Sequence, residues 1–215
     1  MRLLINLTIL TDFVPILYGL RFYRTFSSDL KFVFFFLLFT ALVDLVGGIT
    51  GYNSINNEWL FNLQSPVETI AELYLVLRWF NLINYQMIYS FLSIGYLVYW
   101  FSSTVLNSSV MIYNTDEKTI KGLLVILLYG ALIVKFILKD THNVFHDYRF
   151  WFAASIFTYY TSTFFFMLTN DYLTSLAQSG MLDLSFINCL AIIAFNVLNT
   201  ITFKCYLRKR NLFTT

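Results

Sequence analysis

Seven long apolar runs alternate along this chain with short polar breaks. They cover approximately residues 3–20, 30–51, 65–82, 85–106, 122–138, 150–168 and 181–203. A helix of about 20 residues crosses the roughly 30 Å of bilayer hydrocarbon, and each run is close to that length. The pattern predicts an all-α integral membrane bundle of seven transmembrane helices in one domain spanning residues 1–215. Runs three and four are separated by almost nothing, and run five is short. The breaks around 107–121 and 170–180 are too short to fold alone. No internal repeat suggests a transporter built from two similar halves.

The break before the third run is one of the few places where polar residues crowd together, from Asn56 through Asn57, Glu58, Trp59, Asn62 and Gln64 to Ser65. Ser65 followed by Glu68 reads as a capping box with Pro66 at the first helical position, so a helix is expected to start at Ser65. Glu68 would then lie on the positive end of the helix dipole. Glu72 has no such role. It lies seven residues past the cap, roughly 10 Å down the helix, and carboxylates at membrane depth usually face a partner or a wet cavity.

Charge fixes an orientation. Only 12% of residues are charged, against about 25% in a soluble domain. With the N-terminus outside, the cytoplasmic side collects Arg21, Arg24, Lys31, Arg78, Lys135, Lys139, Arg149, Lys204, Arg208, Lys209 and Arg210, eleven of the fourteen Lys and Arg. The outside keeps Arg2, Lys118 and Lys121. The positive-inside rule therefore favours an outer N-terminus and a cytoplasmic C-terminus. The net charge of +2 and the lack of a long basic run exclude a nucleic-acid partner. The partners expected are the lipid bilayer and, through the basic tail Arg208-Lys209-Arg210, a membrane or cytoplasmic protein. Cys189 and Cys205 share the last run roughly 24 Å apart, too far to pair within one helix, and are expected to be small hydrophobes. Asp12 and Pro15 interrupt the first run and no small-residue cleavage site follows it, so that helix is expected to be retained.

Ionisable groups inside the runs carry the candidate chemistry. Counted from the helix ends, Asp12, Asp44, Glu72 and Asn188 all fall within roughly 10–14 Å of the outer surface, with Asp183 above them. No lysine or arginine is expected at that depth. The functional reading is an outward-facing acidic cavity that takes a cation, an amine-bearing ligand or a proton. The plainer reading is that each acid hydrogen-bonds a neighbour and joins helices. A second polar belt, including Ser93, Tyr96, Tyr160, Asn196 and Asn199, is expected to bond between helices. Gly47, Gly48 and Gly51 would let helix two approach a neighbour closely.

Other chemistry is thin. His142 and His146 form an i,i+4 pair that could hold a metal beside Asp140 and Asp147, a weak signal. Two histidines outside the bundle do not match the three-histidine zinc site of the seven-helix hydrolases related to alkaline ceramidase. No lysine lies midway along the last run, as a retinal protein needs. No phosphate loop, nucleophile elbow or metalloprotease motif appears. No cofactor is implied.

The Asn56-Asn57-x-Trp59-Leu60 run with Ser65-Pro66-x-Glu68, between a second and third helix, resembles one in small multi-pass proteins of Bacteroidota. The resemblance covers about 20 residues and implies a bacterial inner-membrane protein without specifying an activity. The expected function is a ligand-binding sensor, accessory subunit or small carrier with an outward-facing acidic cavity. Two alternatives stay open. One is an intramembrane lipid-processing enzyme with Asp44 and Glu72 as an acid/base pair, by analogy with lysoplasmalogenase-like proteins. The other is a pore-forming or membrane-perturbing accessory protein of a bacterial defence system.

Overall fold

The structure is a computed structural model that describes residues 2–112, 114–139, 144–177 and 185–211. Among these the regular elements are all helical: α1 (Arg2–Phe22), α2 (Ser28–Tyr52), α3 (Glu58–Phe80), α4 (Tyr85–Trp100), α5 (Thr115–Lys139), α6 (Tyr148–Ala177) and α7 (Ser185–Asn211). Single 3₁₀ turns occupy Tyr23–Thr25 and Val144–His146, and a π turn at Phe101–Leu106 continues α4. Three stretches, Ser28–Tyr52, Thr115–Lys139 and Asn188–Arg208, are long and apolar enough to cross a membrane. The chain is an all-helical membrane protein.

Six helices close into a ring. α1 packs on α2 and α7, α2 on α3, α3 on α5, α5 on α6, and α6 on α7. α4 stands outside the ring against α3. Its only buried residues are Ser93 and Tyr96, while Met87, Phe91, Ile94 and Val98 are exposed. In a membrane such a face meets acyl chains, which solvate it as well as protein would.

Local signals set the ends of the helices. At the start of α2 the Ser27 hydroxyl accepts from the Leu30 amide at 3.4 Å, and Asp29 lies on the positive end of the dipole. α3 stops at Asn81, whose φ of 52° and ψ of 44° give the left-handed cap that asparagine tolerates. Gly47 and Gly48 permit close packing as expected. A Cβ on Gly47 would come within 2.6 Å of Phe61 on α3, and one on Gly48 within 2.6 Å of Ile9 on α1.

Several boundaries differ from the sequence reading: α6 runs on to Ala177 past the expected end near 168, α7 spans Ser185–Asn211 against the expected 181–203, and α3 and α5 both start early. α3 starts at Glu58, two turns before Ser65, so Ser65 is a fully buried mid-helix residue rather than a cap, and Pro66 lies inside the helix. The polar stretch 56–64 is compatible with helix because its amides bond elsewhere. Asn57 donates to the Gly47 carbonyl at 2.7 Å, Asn56 to Met111 at 3.1 Å, and Asn62 to Val110 and Ile112 at 2.9 and 2.7 Å. Together they tie α3 to the end of α2 and to the loop before α5. Pro66 has no N–H, so the Asn62 carbonyl one turn back loses its helical donor. The Trp100 indole supplies it at 3.0 Å, and Lys118 Nζ donates to the neighbouring Phe61 carbonyl at 2.7 Å.

α5 likewise begins at Thr115, two turns before the expected start near residue 122. The Asn114 side chain accepts from the Glu117 amide at 3.1 Å and caps it. The charged residues 116–121 therefore continue the helix, and the expectation that Lys118 and Lys121 lie in an outer loop is overturned.

The end of the ring near Arg78 and Phe203 is packed solid with aromatic rings. Phe26 stacks on Phe203 with centroids 5.2 Å apart and planes at 7°. Trp79 meets Phe152 edge-on at 5.6 Å, and Phe152 also contacts Phe36 at 6.1 Å. Trp79 donates to Asp29 at 3.2 Å, and Asp29 pairs with Arg78 at 2.8 Å, so the polar groups at this end are satisfied where they emerge.

Candidate functional site

The opposite end of the ring is hollow. A cavity of about 380 Å³ opens between all six ring helices, and no described residue of α4 lines it. That volume falls in the range of small-molecule sites, roughly 300–1,000 Å³. Asp12 enters from α1, Asp44 from α2, Glu68 and Glu72 from α3, Lys118 and Lys121 from α5, and Asn188 and Asn196 from α7. Between the polar groups the wall is aromatic: Phe36, Phe61, Tyr159, Tyr160, Phe164 and Phe195.

The helical repeat explains the line of groups on α3. Residues 61, 64, 68 and 72 recur at intervals of three or four and so share one face, and all four line the cavity. On α5, Lys118 and Lys121 share a face in the same way. The two helices meet through Lys121 Nζ, which donates to Glu68 Oε2 at 2.7 Å and lies 5.4 Å from the centroid of the Tyr160 ring. Gln64 adds a hydrogen bond to Glu68 at 2.6 Å. Lys121 is 3% exposed, so this ion pair is buried. Such a pair contributes little net stability, but losing one partner leaves an uncompensated charge.

Lys118 is also engaged. It lies 3.5 Å from Glu117 Oε2 as well as on the Phe61 carbonyl. Glu117, with no exposed surface, accepts from Ser65 Oγ at 2.8 Å and from the Tyr96 hydroxyl. Ser65, Tyr96, Glu117 and Lys118 thus make a continuous polar link from α4 through α3 to the cavity wall.

The remaining acids form no direct ion pair among the described residues, although Glu72 shares the field of Lys121. Asp12 accepts from the Asn196 amide at 2.6 Å. Asp44 has no hydrogen-bond or ion-pair partner among the described residues. Glu72 is 2% exposed and lies beside Tyr160 and within the field of Lys121. Its Oε2 is buried without a hydrogen-bond partner among the described residues. Cavity acids therefore outnumber cavity lysines by four to two, and both lysines are already taken.

The sequence-derived site maps onto this cavity in large part. Asp12, Asp44, Glu72 and Asn188 line one space. Asp183 lies outside the described residues, as does His142. His146 belongs to a 3₁₀ turn, and among the described residues no three His, Cys, Asp or Glu side chains come together to hold a metal ion. Two expectations are corrected. Glu68 is no capping residue but the counter-ion of Lys121, because α3 starts two turns earlier. And lysine does reach the depth of the acids, because α5 extends to Thr115.

The second polar belt bonds between helices in part, as expected: Tyr96 with Ser65 and Glu117, Asn196 with Asp12 and Thr11, and Asn199 with Ser155 at 3.2 Å. Ser162 and Thr163 of the same belt instead bond a carbonyl of their own helix one turn back. The residues that the sequence reading missed, Lys121, Lys118 and Glu117, carried a legible signal. Asn114-x-x-Glu117 is a capping pattern of the same kind as Ser65-x-x-Glu68. Cys189 is buried, Cys205 is half-buried against the Phe145 carbonyl, and the two form no disulfide.

Comparison with known proteins finds no matching family model, no matching curated protein and no matching solved structure.

Proposed function

We propose that this chain is a seven-span inner-membrane protein, N-terminus outside and C-terminus cytoplasmic, whose helix ring holds a cation-binding cavity open to the outside. It serves as a sensor, an accessory subunit or a small carrier rather than as an enzyme. The observation that carries the reading is Glu72, a buried acid on the cavity wall with one oxygen unpartnered. Asp12 and Asp44, which have no cation of their own, reinforce it. Intramembrane acids are expensive and are retained where they meet a partner. The eleven basic residues counted for the cytoplasmic side support the orientation. The basic tail, which continues α7 as helix to Asn211, gives that side a surface for anionic lipid or a protein partner.

Two experiments test this reading. Reporter fusions at Asn56 and Thr215 should report opposite sides of the membrane, and finding both on one side would refute the seven-span topology. Thermal unfolding in mild detergent should leave Asp44→Asn and Glu72→Gln at or above the wild-type melting temperature, because a desolvated charge has been removed. A drop of several degrees in both would make the acids interhelical glue and remove the site.

A further inference from the structure

We propose that the ligand of this cavity is an organic ammonium ion with an apolar body, bound through Glu72 and the aromatic wall, rather than an inorganic cation. The inference rests on the cation-binding reading above and narrows it.

Three observations carry it. The first is the unpartnered Oε2 of Glu72, 2% exposed and on the cavity wall. An acceptor that is buried and unfilled calls for a donor, and an ammonium group brings up to three. The second is the composition of the wall. A metal ion such as Ca²⁺ or Mg²⁺ needs six or more oxygens around one point, yet no three acidic, histidine or cysteine side chains among the described residues converge for that. The acids are instead spread over α1, α2 and α3, with Tyr159, Tyr160, Phe36 and Phe195 between them. Aromatic faces attract ammonium groups and pack against an apolar body, and offer far less to a strongly hydrated metal ion. The third is internal. The Lys121 ammonium already lies in this environment, 2.7 Å from a carboxylate and 5.4 Å from the Tyr160 ring. The Lys121 site shows that the wall accommodates an alkylammonium. Glu72 offers a second carboxylate beside the same tyrosine.

Volume agrees with this class. About 380 Å³ holds an amine with a ring or a short chain, and far exceeds what a single metal ion fills. Charge agrees as well: Asp12, Asp44, Glu68 and Glu72 line the cavity with two lysines, and Lys121, ion-paired with Glu68, is shared electrostatically with Glu72.

The test uses purified full-length chain in mild detergent with four probes: benzylammonium, the neutral isostere benzyl alcohol, sodium and calcium. Melting temperature and a titration heat are read for each. The expected result is saturable binding and a raised melting temperature with benzylammonium alone. Glu72→Gln should weaken that binding at least roughly tenfold, and Phe195→Leu, which removes one ring of the wall and leaves the acids intact, roughly threefold to tenfold. Stabilisation by sodium or calcium with no benzylammonium effect would overturn the ammonium inference while leaving a cation site standing. Equal effects of benzylammonium and benzyl alcohol would mark simple partitioning and overturn it too. No response to any probe would overturn both the inference and the reading it rests on.

Discussion

The two ends of the ring are made from the same six helices and solve opposite problems. At the end near Phe203, side chains such as Leu30, Leu75, Tyr129 and Phe152 are 0% exposed and the interior is filled. At the other end the same helices leave about 380 Å³ open and line it with four acids and two lysines. In a membrane, lipid is as apolar as the protein interior, so the hydrophobic effect does not favour burying one end over the other. Aromatic packing and shape hold the filled end, whereas charge pairing and hydrogen bonds must hold the hollow one. The contrast shows that the polar groups are not distributed to join helices evenly. They are concentrated where packing is given up, which supports the proposed site.

The comparison can be broken at either end, and the largest effect is expected at the hollow one. Lys121→Met removes the buried partner of Glu68 and should cost about 3–5 kcal/mol, read by denaturant unfolding in detergent. Lys121→Met combined with Glu68→Gln should recover most of the loss, because no charge is then left alone. A neutral effect of the single variant would show that this pair does not hold the cavity wall. At the filled end, Phe152→Ala removes a ring in contact with Trp79, Phe36 and Tyr129. The same unfolding measurement should give a loss of about 2–3 kcal/mol. That is below the roughly 3–5 kcal/mol of a soluble core, because lipid solvates the unfolded ring as well as the protein does.

Asp12 sharpens the contrast within the cavity. Unlike Glu72 it is bonded to a neighbouring helix through Asn196. Asp12→Ala leaves that amide with Thr11 alone and should cost about 1–2 kcal/mol, where Glu72→Gln costs nothing. If both substitutions cost the same, the distinction between an acid that joins helices and one held for a ligand fails. The smallest effect belongs to α4. Phe91 is 77% exposed on a helix outside the ring, and Phe91→Ala should stay within about 0.5 kcal/mol of wild type.

Helix number and type were legible in the sequence because each long apolar run, bounded by polar breaks, forms one helix. The depth of the acids was legible too. Simple residue counting grouped Asp12, Asp44, Glu72 and Asn188, and all four line one cavity. Where helices begin was not legible from hydropathy. Residues 58–64 and 115–121 are too polar to score as membrane helix; Asn57 and Asn62 tie the first stretch to groups 10 and 48 residues away, and Asn114 caps the second. That error displaced Lys121 from the site and made Ser65 a cap. Pro66 strengthened the mistake, since proline favours a first turn; here it interrupts a helix whose freed carbonyl is taken by Trp100, 38 residues away in sequence. The ring with α4 left outside could not be read either, since every segment looked equally apolar.

The central claim is that the hollow end is wet and faces outward while the filled end is dry. Cysteine labelling in intact cells tests it most directly. In a background with Cys189 and Cys205 replaced by serine, Asp44→Cys should react with a membrane-impermeant maleimide added outside, and Leu75→Cys should not react until the protein is denatured. Protection of Asp44→Cys in intact cells, or equal labelling of both positions, would contradict the account.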